Sequence, residues 1–82
     1  MHYVYVIECA DGTLYTGYTT DVERRVEEHN AGEGAKYTRG RTPVTVVHTE
    51  EFGERGEAMS REAAIKDMSR EEKETLVDGN DG

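Results

Sequence analysis

Two β-prone runs lie only three residues apart: YVYVIEC (3–9), then Ala10-Asp11-Gly12, then TLYTGYT (13–19). β-branched and aromatic residues suit strands, and a gap this short permits only a hairpin. A three-residue loop commonly places glycine in the left-handed region, a role that suits Gly12. The register then pairs Cys9 with Thr13, Ile7 with Tyr15 and Tyr5 with Gly17. Tyr3, Tyr5, Ile7, Tyr15 and Gly17 share one face, since side chains alternate along a strand. A two-residue Asp11-Gly12 turn would shift the register by one and send Tyr5 and Tyr15 to opposite faces. Four of the five tyrosines precede residue 20 in a chain with one Phe and no Trp. A core alone could use Phe or Leu there, whereas tyrosine brings hydroxyls that need partners or a chemical role.

Helical signals follow. Thr20-Asp21-Val22-Glu23 reads as a capping box, with Thr20 at the cap and Glu23 three residues on. The helix is expected to reach Asn30 and to stop near Gly32. At ~100° per residue Val22 and Val26 form a narrow apolar stripe. Arg25 and His29 border it one turn apart, and Arg24 points away. Residues 32–42 carry three glycines and precede Pro43, as a loop would. VTVVHTE (44–50) reads as a third strand. Residues 55–67 read as a helix with Ala58, Ala64, Ile65 and Met68 inward and with Glu62 and Lys66 at the border. Arg61 falls inside that apolar stripe, where it needs a partner or an exposed stem. Ser69-Arg70-Glu71-Glu72 is a second capping box, opening a short helix to Val77. The expected fold is α+β, a small three-stranded antiparallel sheet flanked by helices in the order ββαβαα. Residues 1–77 form one domain and 78–82 a disordered acidic tail.

The totals narrow the choices. Eighty-two residues, 34 % of them hydrophobic, suffice for one small core. A domain this size buries only roughly 60 % of its unfolded surface. One cysteine, Cys9, excludes an intramolecular disulfide framework and a cysteine-paired zinc cluster, and fits a reducing cytoplasm. The N-terminus carries no signal-peptide pattern and no apolar run spans a membrane. The net charge of −8 argues against a uniformly basic nucleic-acid surface. It suits an acidic interaction protein, or a surface adapted to high salt, where ions screen self-repulsion. The charge is uneven, however. Residues 50–82 hold eleven acids against five bases, while residues 31–42 (AGEGAKYTRGRT) hold one acid against three bases.

The element order, with YVY and YTG in the hairpin, resembles the GIY-YIG nuclease superfamily, and in particular its small single-domain bacterial and archaeal members. Tyr3-Val4-Tyr5 stands for the first triplet and Tyr15-Thr16-Gly17 for the second. The helical arginine falls on Arg25 and the histidine one turn later on His29. GAKYTRGRTPV (34–44) is similar to the segment these members carry before the third strand. The metal-binding glutamate of active relatives falls on Glu62, in REAAIK (61–66). Two positions depart from the pattern: Tyr3 replaces the first glycine and Thr16 the second isoleucine. A separate DNA-targeting domain, present in several larger relatives, is not seen.

The resemblance implies hydrolysis of DNA phosphodiester bonds with one divalent cation, Mg2+ or Mn2+. Glu62 offers the hard oxygen ligand, since magnesium accepts one protein carboxylate with water and phosphate completing its shell. Arg25 offers a forked donor to phosphate oxygens. Tyr15 is the candidate general base. A phenol ordinarily ionises near pH ~10, so a neighbouring cation and Arg25 must favour the phenolate. Tyr5 would position water or phosphate, and His29 would orient Tyr5 or relay a proton. Gly17 would leave room for a substrate backbone. Lys36, Arg39, Arg41 and Lys66 would meet phosphates, and Tyr37 would stack on a base.

Each residue also has a plainer reading. A strand tyrosine usually packs; Arg25 could pair with Glu23 or Glu28; His29 could favour a helix dipole; Glu62 and Lys66 could be an ordinary one-turn pair. His2 and His48 read as structural, and Cys9 lacks an evident base. Three functions therefore compete: a structure-selective endonuclease of DNA repair or recombination, acting on branched, nicked or flapped DNA with a possible targeting partner protein; a non-catalytic nucleic-acid-binding module on the same face; and an acidic protein-interaction domain. Metal dependence through Glu62 separates the first from the other two.

Overall fold

A computed structural model describes residues 1–79. The hairpin forms with the three-residue loop. Strands β1 (His2–Glu8) and β2 (Leu14–Thr19) pair antiparallel, with Tyr5 opposite Gly17 and Ile7 opposite Tyr15. The Cys9 amide donates to the Thr13 carbonyl at 2.8 Å, and Gly12 takes φ +85°. The Asp11 carboxylate accepts from both the amide and the hydroxyl of Thr13, which ties the loop down. Strand β3 (Thr45–Phe52) runs antiparallel on the other side of β1, giving the order β2-β1-β3. A bulge opposite Val6 and Ile7 shifts its register.

Helix α1 (Val22–Asn30) covers one face of the sheet; α2 (Arg55–Lys66) and α3 (Arg70–Gly79) cover the other. The α+β order ββαβαα is as the sequence predicts. On the α1 face Tyr5, Ile7, Cys9 and Val44 are buried, with Tyr15, Val22, Val26 and Val46 packed around them. On the opposite face Val4 and Val6 meet Ala58 and Ile65. No helix among the described residues is long and apolar enough to cross a membrane.

Three local expectations need correction. Helix α1 is capped by Asp21, not Thr20: the Asp21 side chain accepts from the Arg24 amide at 3.1 Å. Aspartate caps as well as threonine, and Thr19 steadies it by accepting the Asp21 amide through its hydroxyl. Ala64 is exposed rather than inward. The buried stripe of α2 runs through Ala58 and Ile65, seven residues apart, and Ala64 lies about 240° round the helix from Ala58. Arg61, on that stripe, finds a partner in Glu50 of β3, which accepts from two of its nitrogens at 2.8 and 3.1 Å. The second capping box forms reciprocally, with Glu72 accepting the Ser69 amide and Ser69 accepting the Glu72 amide. Helix α3 continues to Gly79, past Val77, and the rest of the expected tail, 80–82, lies outside the described residues.

Candidate active site

The face of the hairpin toward α1 gathers the aromatic residues. Tyr5 and Tyr15 sit on adjacent strands with ring centroids 6.5 Å apart, and His29 of α1 meets both edge-on, at 5.9 and 5.4 Å. Tyr5 is 1 % exposed and His29 is fully buried, so neither hydroxyl nor imidazole can rely on water. They satisfy each other: Tyr5 Oη lies 2.9 Å from His29 Nε2. His29 Nδ1 lies 2.8 Å from the hydroxyl of Thr38, which donates to the Ala35 carbonyl at 2.9 Å. The histidine is therefore the hydrogen-bond partner of the Tyr5 hydroxyl.

Two glycines make this arrangement possible. A Cβ on Gly17 would stand 2.6 Å from Cζ of Tyr5, well inside contact distance. The space opposite Gly17 is thus taken by the Tyr5 ring and not left for a substrate backbone, which corrects the expected role of this glycine. A Cβ on Gly34 would likewise overlap the His29 ring, 2.7 Å from its Cγ. The loop can lie on the histidine only because residue 34 has no side chain.

Electrostatics follow burial. Burial pushes the Tyr5 phenol above its ordinary value, with the adjacent Arg25 pulling the other way. Burial also holds His29 below its ordinary value, helped by the Arg25 charge, and keeps the imidazole neutral. Arg25 is half-buried and Arg24 exposed, as the helical spacing predicts. Arg25 donates to Glu28 at 3.1 Å, and its charge acts on the Tyr5 phenol.

Tyr15 is half-buried, and among the described residues its hydroxyl has no hydrogen-bond partner. Of the paired tyrosines it is the accessible one. Lys66 of α2 places Nζ 5.8 Å from the Tyr15 ring centroid, reaching past β2, which is an edge strand. Glu62, one turn earlier, keeps only a loose ion pair to Lys66 at 3.7 Å, and its side chain is 15 % exposed. Among the described residues no cluster of three or more His, Cys, Asp or Glu forms a metal cage. Glu62 is a single, largely uncommitted carboxylate whose charge reaches Tyr5. That donor set fits a hard cation that completes its shell with water and substrate oxygens.

The basic loop is more constrained than its composition suggests. Tyr37 stacks on Tyr15 at 5.7 Å, and Arg41 lies over Tyr37 at 4.6 Å. Arg41 is also tied to Asp11 at 2.7 Å, and Arg39 donates to the Gly32 carbonyl. Lys36 is exposed. Thr38 and Gly34 were not singled out from the sequence. A threonine and a glycine in a glycine-rich loop carry no spacing signal, and only the position of His29 reveals their roles.

The likeness to known proteins is specific. Residues 1–75 match the family model of the GIY-YIG catalytic domain. A UPF0213 protein of Halobacterium salinarum is 72 % identical over 76 residues, 93 % of this chain and 99 % of that one. A UPF0213 protein of Streptococcus agalactiae is 56 % identical, over 92 % of this chain and 85 % of its own. The solution NMR structure of a UPF0213 protein from Bacillus halodurans superposes with a TM-score of 0.62 at 56 % identity, covering 94 % of this chain and 82 % of that one. With the two tyrosine triplets paired across one hairpin and a matched domain spanning nearly the whole chain, this protein belongs to the GIY-YIG family, among its small bacterial and archaeal UPF0213 members.

Proposed function

We propose that this protein is a divalent-metal-dependent endonuclease that hydrolyses DNA phosphodiester bonds. The observation that carries the reading is the convergence, at one edge of the sheet, of an accessible tyrosine, an arginine and an uncommitted carboxylate. Tyr15 keeps its hydroxyl free of protein partners among the described residues, and Glu62 keeps only a loose ion pair to Lys66, so both are available to a ligand. Glu62 would hold the cation, Mg2+ or Mn2+, which when bound supplies Lewis acidity at a phosphate oxygen. Arg25 donates to the non-bridging phosphate oxygens and steadies the charge that builds there. Tyr15 would take the proton of the attacking water through its free Oη. Tyr5 and His29 hold the aromatic floor on which Tyr15 rests. Lys66 sits where it can receive a second phosphate, and Lys36 and Arg39 extend the contact along the strand. Tyr37, already stacked on Tyr15 and overlain by Arg41, would take a base on its ring only once Arg41 moves aside.

Shape would be the basis of substrate choice: branched, nicked or flapped DNA, in repair or recombination, with a partner protein for targeting. The net charge of −8 fits work in high salt, where screening relieves the self-repulsion. Phosphate contacts weaken steeply under the same conditions, so grip rests on the local patch. The test is cleavage of labelled linear, nicked, flapped and four-way DNA, with and without Mg2+ or Mn2+, across a salt series. Metal-dependent cutting that disappears in a folded Glu62→Ala variant is expected. No cutting by the folded wild type under any condition would overturn the reading. Binding without cutting, weakened by Arg39→Ala with Arg41→Ala, would favour the non-catalytic module instead.

A further inference from the structure

We infer that Thr38 is a positioning residue: its hydroxyl fixes the tautomer of His29 and thereby sends the Tyr5 proton inward, toward His29, leaving the remaining Tyr5 oxygen lone pairs free to accept. This deepens the nuclease reading and, for its catalytic consequence, rests on it.

The argument runs from both ends of one hydrogen-bonded chain. At the inner end stands the Ala35 carbonyl, which can only accept. Thr38 Oγ1 lies 2.9 Å from it, a distance that requires the hydroxyl proton between them. A threonine has one such proton. Toward His29, 2.8 Å away, Thr38 Oγ1 must therefore accept, and Nδ1 must carry the imidazole proton. His29 is buried and held neutral, so its single N–H is spent on Thr38 and Nε2 is a bare acceptor. Tyr5 Oη, 2.9 Å from Nε2, then donates to it. At the outer end Arg25, which has no acceptor, acts on the same phenol through its charge, pulling its pKa down against the effect of burial. A Tyr5 proton aimed at Arg25 would face a donor; aimed at His29 it meets a lone pair. The two ends impose the same direction on every proton between them.

Thr38 is 1 % exposed, so this hydroxyl is not available to substrate and acts only through His29. The loop is built to deliver it. Gly34 lets the chain lie directly on the imidazole, and the single turn Lys36–Thr38 brings the Thr38 amide to the Ala35 carbonyl at 3.1 Å. The residue before Thr38 is Tyr37, stacked on Tyr15. One short turn thus sets the floor under Tyr5 with one side chain and covers Tyr15 with its neighbour.

The experiment is long-range ¹H–¹⁵N NMR of the three histidines at pH 8, on the wild type, Thr38→Val and Thr38→Ser, alongside the cleavage assay. In the wild type His29 is expected to carry its proton on Nδ1. Thr38→Val keeps the shape and the Ala35 carbonyl keeps the residue-38 amide, but Nδ1 loses its acceptor. The tautomer should become mixed, and cleavage should fall on the order of tenfold for one lost hydrogen bond. Thr38→Ser should restore both. A wild-type His29 protonated on Nε2 overturns the assignment without any variant. So does a folded Thr38→Val protein whose His29 keeps the Nδ1 proton. If Thr38→Val does not fold, the wild-type tautomer and its persistence in Thr38→Ser decide. A tautomer that moves as expected in a protein that never cuts DNA would uphold the Thr38 assignment and sink the nuclease.

Discussion

The two faces of the sheet solve burial differently. Toward α2 and α3 the centre is aliphatic: Val4 and Val6 against Ala58 and Ile65, with Leu14, Val47, Leu76 and Val77 around them. Its polar exceptions are Thr16, buried opposite Val6 with no partner for its hydroxyl among the described residues, and, at the side, His48, Glu50 and Arg61, linked in one chain of hydrogen bonds. Toward α1 the centre is Tyr5 and His29, two polar aromatic groups buried as deeply as any valine. Aliphatic packing is tolerant because any side chain of about the right volume serves. A buried hydroxyl–imidazole–hydroxyl chain is not, because each atom needs one particular neighbour. One face therefore holds the sheet together, while the other uses that rigidity to fix oxygens and nitrogens in place.

The largest expected effect lies at the accessible edge of the polar face. Tyr15→Phe removes one oxygen that no residue described here binds, so stability should change little. If Tyr15 is the base, cleavage should fall by about 10²–10⁴-fold. Full activity in this variant would move the base to another group. Its unfolding midpoint in urea, measured beside the rate, keeps a folding defect from passing as a chemical one.

A matched pair of small changes probes the faces themselves. Ile65→Val deletes one methylene from the aliphatic face and should cost about 1 kcal/mol, with the cleavage rate per folded molecule unchanged. Gly17→Ala adds one methyl to the polar face, where it must displace the Tyr5 ring. The cost should be larger, about 1–3 kcal/mol, and cleavage should fall with it because Tyr5 leaves His29. Equal costs with equal activity would erase the proposed distinction. Denaturant unfolding and the cleavage assay on the same preparations would decide.

The same distinction explains what the sequence revealed. The hairpin register, the helices and the Ser69–Glu72 box were legible, because each depends on local spacing and turn chemistry. That Tyr5 shares a face with Tyr15, and Arg25 a helix side with His29, was legible from alternation and helical period; that the two pairs meet was implied only by the family resemblance. The boundary of α1 was not, since Thr20 and Asp21 are both good caps and only backbone geometry chooses between them. Ala64 was misplaced because alanine reads as apolar wherever it stands. Thr38 and Gly34 were invisible for a different reason. Their roles exist only once a loop crosses His29, a long-range contact with no periodic signature. The basic loop was legible as charge but not as availability, since Arg41 turned out to be held by Asp11.

The smallest expected effect is a difference in how the two faces respond to acid. On the polar face His29 is held neutral, with its pKa lowered by burial and by Arg25. The unfolded chain takes up that proton near pH 6.5, the folded chain only at lower pH. Between those points the unfolded state binds more protons, so stability falls as pH drops below about 6.5. On the other face Glu50 is lowered by its hydrogen bonds from Arg61, then by His48, against the cost of burial. The same sign applies in a later window: its contribution is complete above the ordinary glutamate value of 4.5 and is lost below it. The lowered surface carboxylates Asp11 and Glu72 add to that lower window, but not to the upper one. Unfolding free energy measured from pH 8 to pH 3 should therefore decline in two stages. Glu50→Gln should weaken only the acid stage. A flat profile from pH 8 to pH 5 would mean that His29 is not held neutral, and the polar face would lose the feature that sets it apart.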